Sequence, residues 1–238
     1  MAAIRDNLQA IRARIDHAVA SAGRRAGSVR LLAVSKTHPP SKIEEAWSAG
    51  QRAFGESYVQ EALEKMDVVA RTWGAREAPE WHLVGPLQSN KTRLAAPRFD
   101  WVHSLSNERI ARRLSEQRPA DLPPLQVLIQ VNCSGEASKS GVAPQDASAL
   151  ARQVDHLPRL KLRGLMAIPE PTADVAVQRA RFRAMRELFE SLRRDGIALD
   201  TLSIGMSDDF EAAIAEGSTL VRIGTAIFGE RGAQRSAA

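Results

Sequence analysis

One lysine stands where a lysine is costly. In "RLLAVSKTHPP" (30–40) the apolar run Leu31-Leu32-Ala33-Val34 ends in Ser35 and Lys36. Burying an ammonium means desolvating its charge or losing it. An amine held from water favours its neutral form, and a neutral amine attacks an aldehyde to give a Schiff base. The bland alternative is a lysine that snorkels to solvent. Two other stretches suit an anion. "LSIGMSDDF" (202–210) and "VRIGTAIFGER" (221–231) each run from apolar residues into glycine and a small hydroxyl residue. Ser207 and Thr225 offer hydroxyl donors, and glycine lets the backbone close on a phosphate at a helix start. Taken singly, Gly205 and Gly224 read as well as turn glycines. Arg222 reads either as a surface ion-pair residue or, facing inward, as a donor to a ligand.

These residues share a site only if the fold gathers them. The pattern alternates candidate strands (30–35, 52–55, 81–84, 100–103, 125–131, 161–167, 200–204, 220–223) with helical segments (41–49, 57–71, 88–95, 107–117, 145–156, 174–195, 208–216). A helix precedes them, with Ile4, Leu8, Ile11, Ile15, Val19 and Ala22 on one stripe. In 174–195 the stripe is Val175, Phe182, Met185, Leu188, Phe189 and Leu192, with Gly196 as the stop. Ser106 and Ser207 are expected N-caps. Eight alternating strands in 238 residues predict an α/β fold, a single (β/α)₈ TIM barrel with an extra N-terminal helix. The alternative is a doubly wound open sheet, against which the lack of GxGxxG after the first strand counts. The expected organisation is one barrel domain over 1–238, with helix and linker over 1–28 and a flexible tail over 232–238.

In a barrel, the ends of the strands ring one mouth. Those ends read Ser35-Lys36, Gly55-Glu56-Ser57, His82 with Gly85, His103-Ser104, Asn132, Met166, Ser203 through Ser207, and Gly224-Thr225. Loops after the last two strands are the usual phosphate site. A lysine amine with a phosphate site opposite it is what pyridoxal 5′-phosphate (PLP) requires, and an inward Arg222 would face its pyridine nitrogen and disfavour ring protonation. A sugar-phosphate enzyme would use the same loops without the amine. A metal site at His82 and His103 is a further alternative, lacking acidic ligands at ligand-like spacing.

Composition narrows the classes. The hydrophobic content is 44% and the charged content 26%, both globular values. No apolar run reaches the roughly 18–20 residues of a membrane helix, and no signal-peptide h-region is visible. One cysteine, Cys133, excludes an intramolecular disulfide and fits a reducing cytoplasm. The net charge of +5 invites a nucleic-acid reading. The basic residues are scattered arginines without interleaved aromatics, however, so a solvated surface is expected and no nucleic-acid or membrane partner.

The stretches "AVSKTHP", "AFGESYVQEALEK", "WHLVGPLQSNK", "GEASKSGV", "GLMAIPE", "GMSDDFEAAIAEGST" and "VRIGTAIFGER", in this order, resemble the pyridoxal phosphate homeostasis proteins over about residues 30–231. The resemblance implies a PLP barrel similar to the N-terminal domain of alanine racemase. It implies that Lys36 carries PLP as a lysine aldimine. Ser203, Met206, Ser207, Gly224 and Thr225 would surround the phosphate, Arg222 would face the pyridine nitrogen, and Met166 would lie near the ring. It further implies a protein that holds PLP for the cell's vitamin B6 balance and passes it to apo-enzymes; an open-mouthed monomer without a covering domain suits that role and is expected. One position departs: Ser57 stands where the family usually has asparagine, with a shorter reach beside the cofactor. Lys139 matches a lysine that is either a secondary PLP contact or a solvated loop residue. Racemisation needs proton-transfer groups on both faces of the substrate carbon. The single tyrosine, Tyr58, is expected to pack or to start a helix, so strong catalysis is not expected; a racemase-like enzyme is the alternative.

Overall fold

Short β-branched and leucine-rich runs, each followed by a helical stripe, fold as their spacing predicts. The structure, a computed structural model, describes residues 2–73, 78–133 and 140–230. The strands are β1 (Arg30–Val34), β2 (Ala53–Glu56), β3 (Glu80–Leu83), β4 (Trp101–Leu105), β5 (Leu125–Gln130), β6 (Leu160–Met166), β7 (Thr201–Ser203) and β8 (Leu220–Ile223). All neighbours pair in parallel, and β1 pairs with β8, closing the barrel. That closure excludes the open-sheet alternative. The helices are α1 (Ala2–Ser21), α2 (Pro40–Ser48), α3 (Val59–Trp73), α4 (Thr92–Ala95), α5 (Glu108–Gln117), α6 (Ala147–Asp155), α7 (Val175–Arg194), α8 (Phe210–Ala215) and α9 (Thr225–Phe228). The last was not expected from the sequence; four residues are too few to show a period.

Alternation along the strands divides the core into two layers. Leu32, Val34, Ala53, Val84 and Leu220 pack together inside the barrel, and Trp101, Leu128 and Met166 form a second interior group. Their neighbours Ala33, Phe54, Val102, Val127, Leu165, Val221 and Ile223 join the larger core between sheet and helices. The same parity carries Leu32 and Val34 on to Lys36, and Leu220 on to Arg222. Position two beyond an inward residue is inward again within a strand, so the β8 register aims Arg222 at the barrel axis, while Lys36 follows the end of β1 in a turn.

Helix α1 buries Ile4, Leu8, Ile11, Ile15 and Val19. It lies across α2, α8 and α9. Asn7 Nδ2 donates to the Ile227 carbonyl at 3.0 Å and Arg24 Nη1 to the Ile214 carbonyl at 2.8 Å. Each buried leucine or isoleucine there contributes about 1.5–3 kcal/mol of burial. Three local expectations change. Val175 is exposed, because α7 begins on the solvent side; its first buried residue is Gln178 and its first apolar core residue Phe182. Asn107, not Ser106, caps α5, its side chain accepting from the Ile110 amide at 3.0 Å. Ser207 lies in the loop before α8, whose N-cap is Asp209. Many arginines serve the fold: Arg179, Arg183 and Arg186 converge from α7 on the buried Glu216.

Candidate cofactor site

A cavity of about 760 Å³ opens at the C-terminal ends of the strands. Lys36, Ser57, Met206, Ser207, Arg222, Gly224 and Thr225 line it, together with Val34, Tyr58, Val84, Gly85, Gln130, Ile168 and Asp208 among others. Because β1 pairs with β8, the Lys36 loop is the rim neighbour of the Thr225 loop, not opposite it. The distance across β7, β8 and β1 is two strand spacings, about 10 Å.

The Lys36 turn is held from behind by a buried ion cluster. Lys65 Nζ lies 2.9 and 3.0 Å from the two carboxylate oxygens of Glu56, 2.8 Å from the Ser35 carbonyl and 2.6 Å from Glu61 Oε1. Ser35 Oγ donates to Glu56 at 2.6 Å, and the Thr37 amide donates to Glu61 at 2.5 Å. Thr37 has a φ of 65°, a left-handed conformation uncommon for threonine. Burial pushes the Glu56 carboxyl up, and the Lys65 charge and the hydrogen bonds pull against it. Sequence reasoning missed this cluster. Its signal was available: Lys65 lies at the apolar spacing Ala62, Met66, Val69 on α3, where a solvated lysine would not.

The cavity wall on the β7–β8 side is built by two loops tied together. The Arg222 amide donates to the Gly205 carbonyl at 3.0 Å, joining β8 to the loop after β7. Asp209 Oδ1 accepts from the Met206 amide at 2.6 Å and folds that loop back on itself. Gly205 has a φ of 95°, and a Cβ there would lie 2.7 Å from Ala213 Cβ. Gly224 precedes α9, and a Cβ there would lie 3.1 Å from the Val34 carbonyl oxygen. On the far side, a Cβ on Gly85 would stand 2.1 Å from the Ser57 carbonyl oxygen. Glycine at 85 is what lets the Ser57 backbone approach.

Arg222 is buried, at 4% exposure, on the cavity floor. Its Nη1 donates to the Ser203 carbonyl at 2.6 Å and to Ser203 Oγ at 2.7 Å, and its Nη2 to the Ala167 carbonyl at 2.9 Å. Burial brings its pKa down to about 10, against the opposing charge of Asp209, so it stays cationic at neutral pH. Ser203 is therefore not part of the cavity lining; the longer Arg222 side chain lies over it. Met166 is also absent from the lining and packs with Trp101 and Leu128. His82 and His103 do not reach the mouth: they are fully buried in the barrel interior. Among the described residues, no group of three or more His, Cys, Asp or Glu is placed to hold a metal. Lys139 and most of "GEASKSGV" lie outside the described residues. Tyr58 precedes α3, as expected of a helix start, but does not pack: it is 59% exposed and lines the cavity.

The lining fits PLP in kind. It offers one amine for an aldehyde, two hydroxyls and two glycine loops for a phosphate, and a cationic guanidinium for a ring nitrogen. The alanine racemase N-terminal domain family matches residues 2–232. A pyridoxal phosphate homeostasis protein of Vibrio cholerae is 56% identical over 237 residues, covering all of both chains. The chain belongs to the pyridoxal phosphate homeostasis protein family. Another homeostasis protein, of Pseudomonas aeruginosa, is 57% identical over 232 residues, covering 97% of each chain. Among solved structures similar to this one, PipY of Synechococcus elongatus with PLP bound is 36% identical. It has a TM-score of 0.82, covering 95% of this chain and all of PipY. The fold expected of a homeostasis protein, an alanine racemase-like TIM barrel, is the fold observed.

Proposed function

We propose that this chain binds PLP in the cavity at the strand ends, linked covalently through Nζ of Lys36, and serves as a holder and donor of PLP with little catalysis of its own. The observation that carries this is that one cavity joins the half-buried amine of Lys36 to the Ser207–Gly224–Thr225 wall and the Arg222 guanidinium. When bound, PLP supplies an aldehyde that an amine can capture and release. The chain's own residues do the rest. Lys36 provides the amine, and the buried Glu56–Lys65 pair fixes the turn that carries it. Ser207 and Thr225 donate to the phosphate, and Ser57, on the facing side of the cavity, flanks the ring.

The mouth supports a donor role. Tyr58 and Ile168 at its edge are 59% and 39% exposed, so an incoming amine has a path to the Lys36 linkage. A racemase-like activity is the second reading, favoured by the placement of the lone Tyr58 on the cavity wall. The two readings part in one experiment. PLP-loaded protein is mixed with an apo-enzyme that needs PLP, and separately with L-alanine. Recovery of the apo-enzyme's activity with L-alanine left unracemised is the expected result. Racemisation lost in Tyr58→Phe would instead establish the enzyme reading. Failure of the loaded protein to activate the apo-enzyme would remove the donor role.

A further inference from the structure

A polar chain runs through the barrel interior beneath the cavity. Glu80, the first residue of β3, stands at the N-terminal rim, where Arg30 Nη2 lies 3.1 and 3.0 Å from its two oxygens. Glu80 Oε1 is 2.9 Å from His82 Nε2, and His82 Nδ1 is 2.9 Å from His103 Nε2. His103 Nδ1 is 3.2 Å from Ser203 Oγ, which lies 2.7 Å from Arg222 Nη1. His82, His103 and Ser203 have no solvent exposure.

The two ends fix every donor and acceptor between them. Arginine only donates, so Ser203 Oγ accepts from Arg222 and its own hydrogen is left for His103. A carboxylate only accepts, so His82 carries its hydrogen on Nε2 and accepts at Nδ1. His103 then donates from Nε2 and accepts at Nδ1 from Ser203. One hydrogen per imidazole closes the chain without a mismatch. Every bond points from Arg222 toward Glu80.

We propose that Glu80, His82, His103 and Ser203 form a one-way hydrogen-bond relay along the barrel axis that sets Arg222 for the ring nitrogen of PLP, with His82 and His103 as positioning residues. The proposal rests on the reading of the cavity as a PLP site. Its physical basis is polarisation. A carboxylate at one end makes each link a better acceptor for the next, so Ser203 Oγ grips Nη1 more firmly than an isolated serine would. Both Nη1 hydrogens go to Ser203 and one Nη2 hydrogen goes to Ala167, which leaves the Nε hydrogen and the second Nη2 hydrogen for a ligand. A proton added at His82 Nδ1 sets a donor against the His103 Nε2 hydrogen, and one added at His103 Nδ1 takes the acceptor away from the Ser203 hydroxyl hydrogen.

Nitrogen-15 NMR of the histidine side chains, on the full chain without PLP, reads the relay directly. Both rings are expected neutral at pH 7 with the hydrogen on Nε2. A hydrogen on Nδ1 of either ring overturns the relay. The positioning role is read from PLP release and from the absorption band of loaded protein. His103→Phe keeps a ring but neither donates nor accepts, and is expected to release PLP about tenfold faster, the worth of one ordinary buried hydrogen bond, with a shifted band. His103→Gln keeps one donor and one acceptor and is expected to restore both. A folded His103→Phe with native release and band overturns the positioning role. A wild-type chain that takes up no PLP overturns the cavity reading, while the NMR result still decides the relay.

Discussion

Lys65 and the two interior histidines are single side chains at which the site can be tested. Lys65 neutralises Glu56 in a region with no solvent, and both hold the turn that carries Lys36. Removing one partner of a buried pair strands the other. Lys65→Met is therefore expected to cost about 3–5 kcal/mol in chemical denaturation. The double variant Lys65→Met with Glu56→Gln is expected to cost less than the sum of the singles; additive losses would show that the pair does not couple. His82 and His103 bear on pH. Burial holds both below their ordinary value of 6.5, His103 well below, with Glu80 supporting His82 in the opposite sense. The unfolded chain thus binds protons below that value that the folded chain refuses. Their contribution to stability is full above pH 6.5 and is lost as the pH falls below it. Glu56 and Asp100, raised by burial, act in the other direction. The histidine part is isolated by comparison: unfolding free energy is expected to fall less steeply from about pH 7 to about pH 5 in His103→Gln than in the wild type. Equal slopes would contradict the assignment.

At the scale of elements, the loop between β7 and α8 is the most demanding. Gly205 combines a φ of 95° with a Cβ position blocked by Ala213. Gly205→Ala is expected to cost about 1–3 kcal/mol in backbone strain and to weaken PLP uptake more than uptake of pyridoxal, which lacks the phosphate. Equal weakening of both would detach this loop from the phosphate. The strands and most helices were legible in the sequence because their periods differ and their runs were long enough to count. Helix α9 and the α5 cap were not, since each depends on one or two residues. Site legibility followed the same rule. Residues at strand ends could be listed from a barrel's connectivity, and Lys36, Ser57, Met206, Ser207, Arg222, Gly224 and Thr225 do meet in one cavity. Depth along the barrel axis could not be read from strand order. Ser203, Met166, His82 and His103 therefore looked like mouth residues and lie below it. Lys65 differs: its inward place on α3 was legible from the apolar spacing, but its partner was not, because it meets the Ser35 carbonyl across 30 residues of sequence.

The whole molecule is a closed barrel whose two ends do different work. The N-terminal end carries Arg30 and Glu80 in a surface ion pair, and the C-terminal end carries the cavity. Helix α1 packs on α8 and α9, the two helices that follow the β7 and β8 loops of the cavity wall, so the extra helix braces the loops proposed to hold the phosphate. No helix among the described residues is long and apolar enough to cross a membrane. Everything proposed for the cavity depends on Lys36 being the residue that captures PLP. Protein mixed with PLP, reduced with borohydride and digested locates that attachment as a pyridoxyl group on one peptide. The group is expected on Lys36, with no visible absorption band in Lys36→Ala. Attachment at another lysine, or a protein that takes up no PLP, would contradict it.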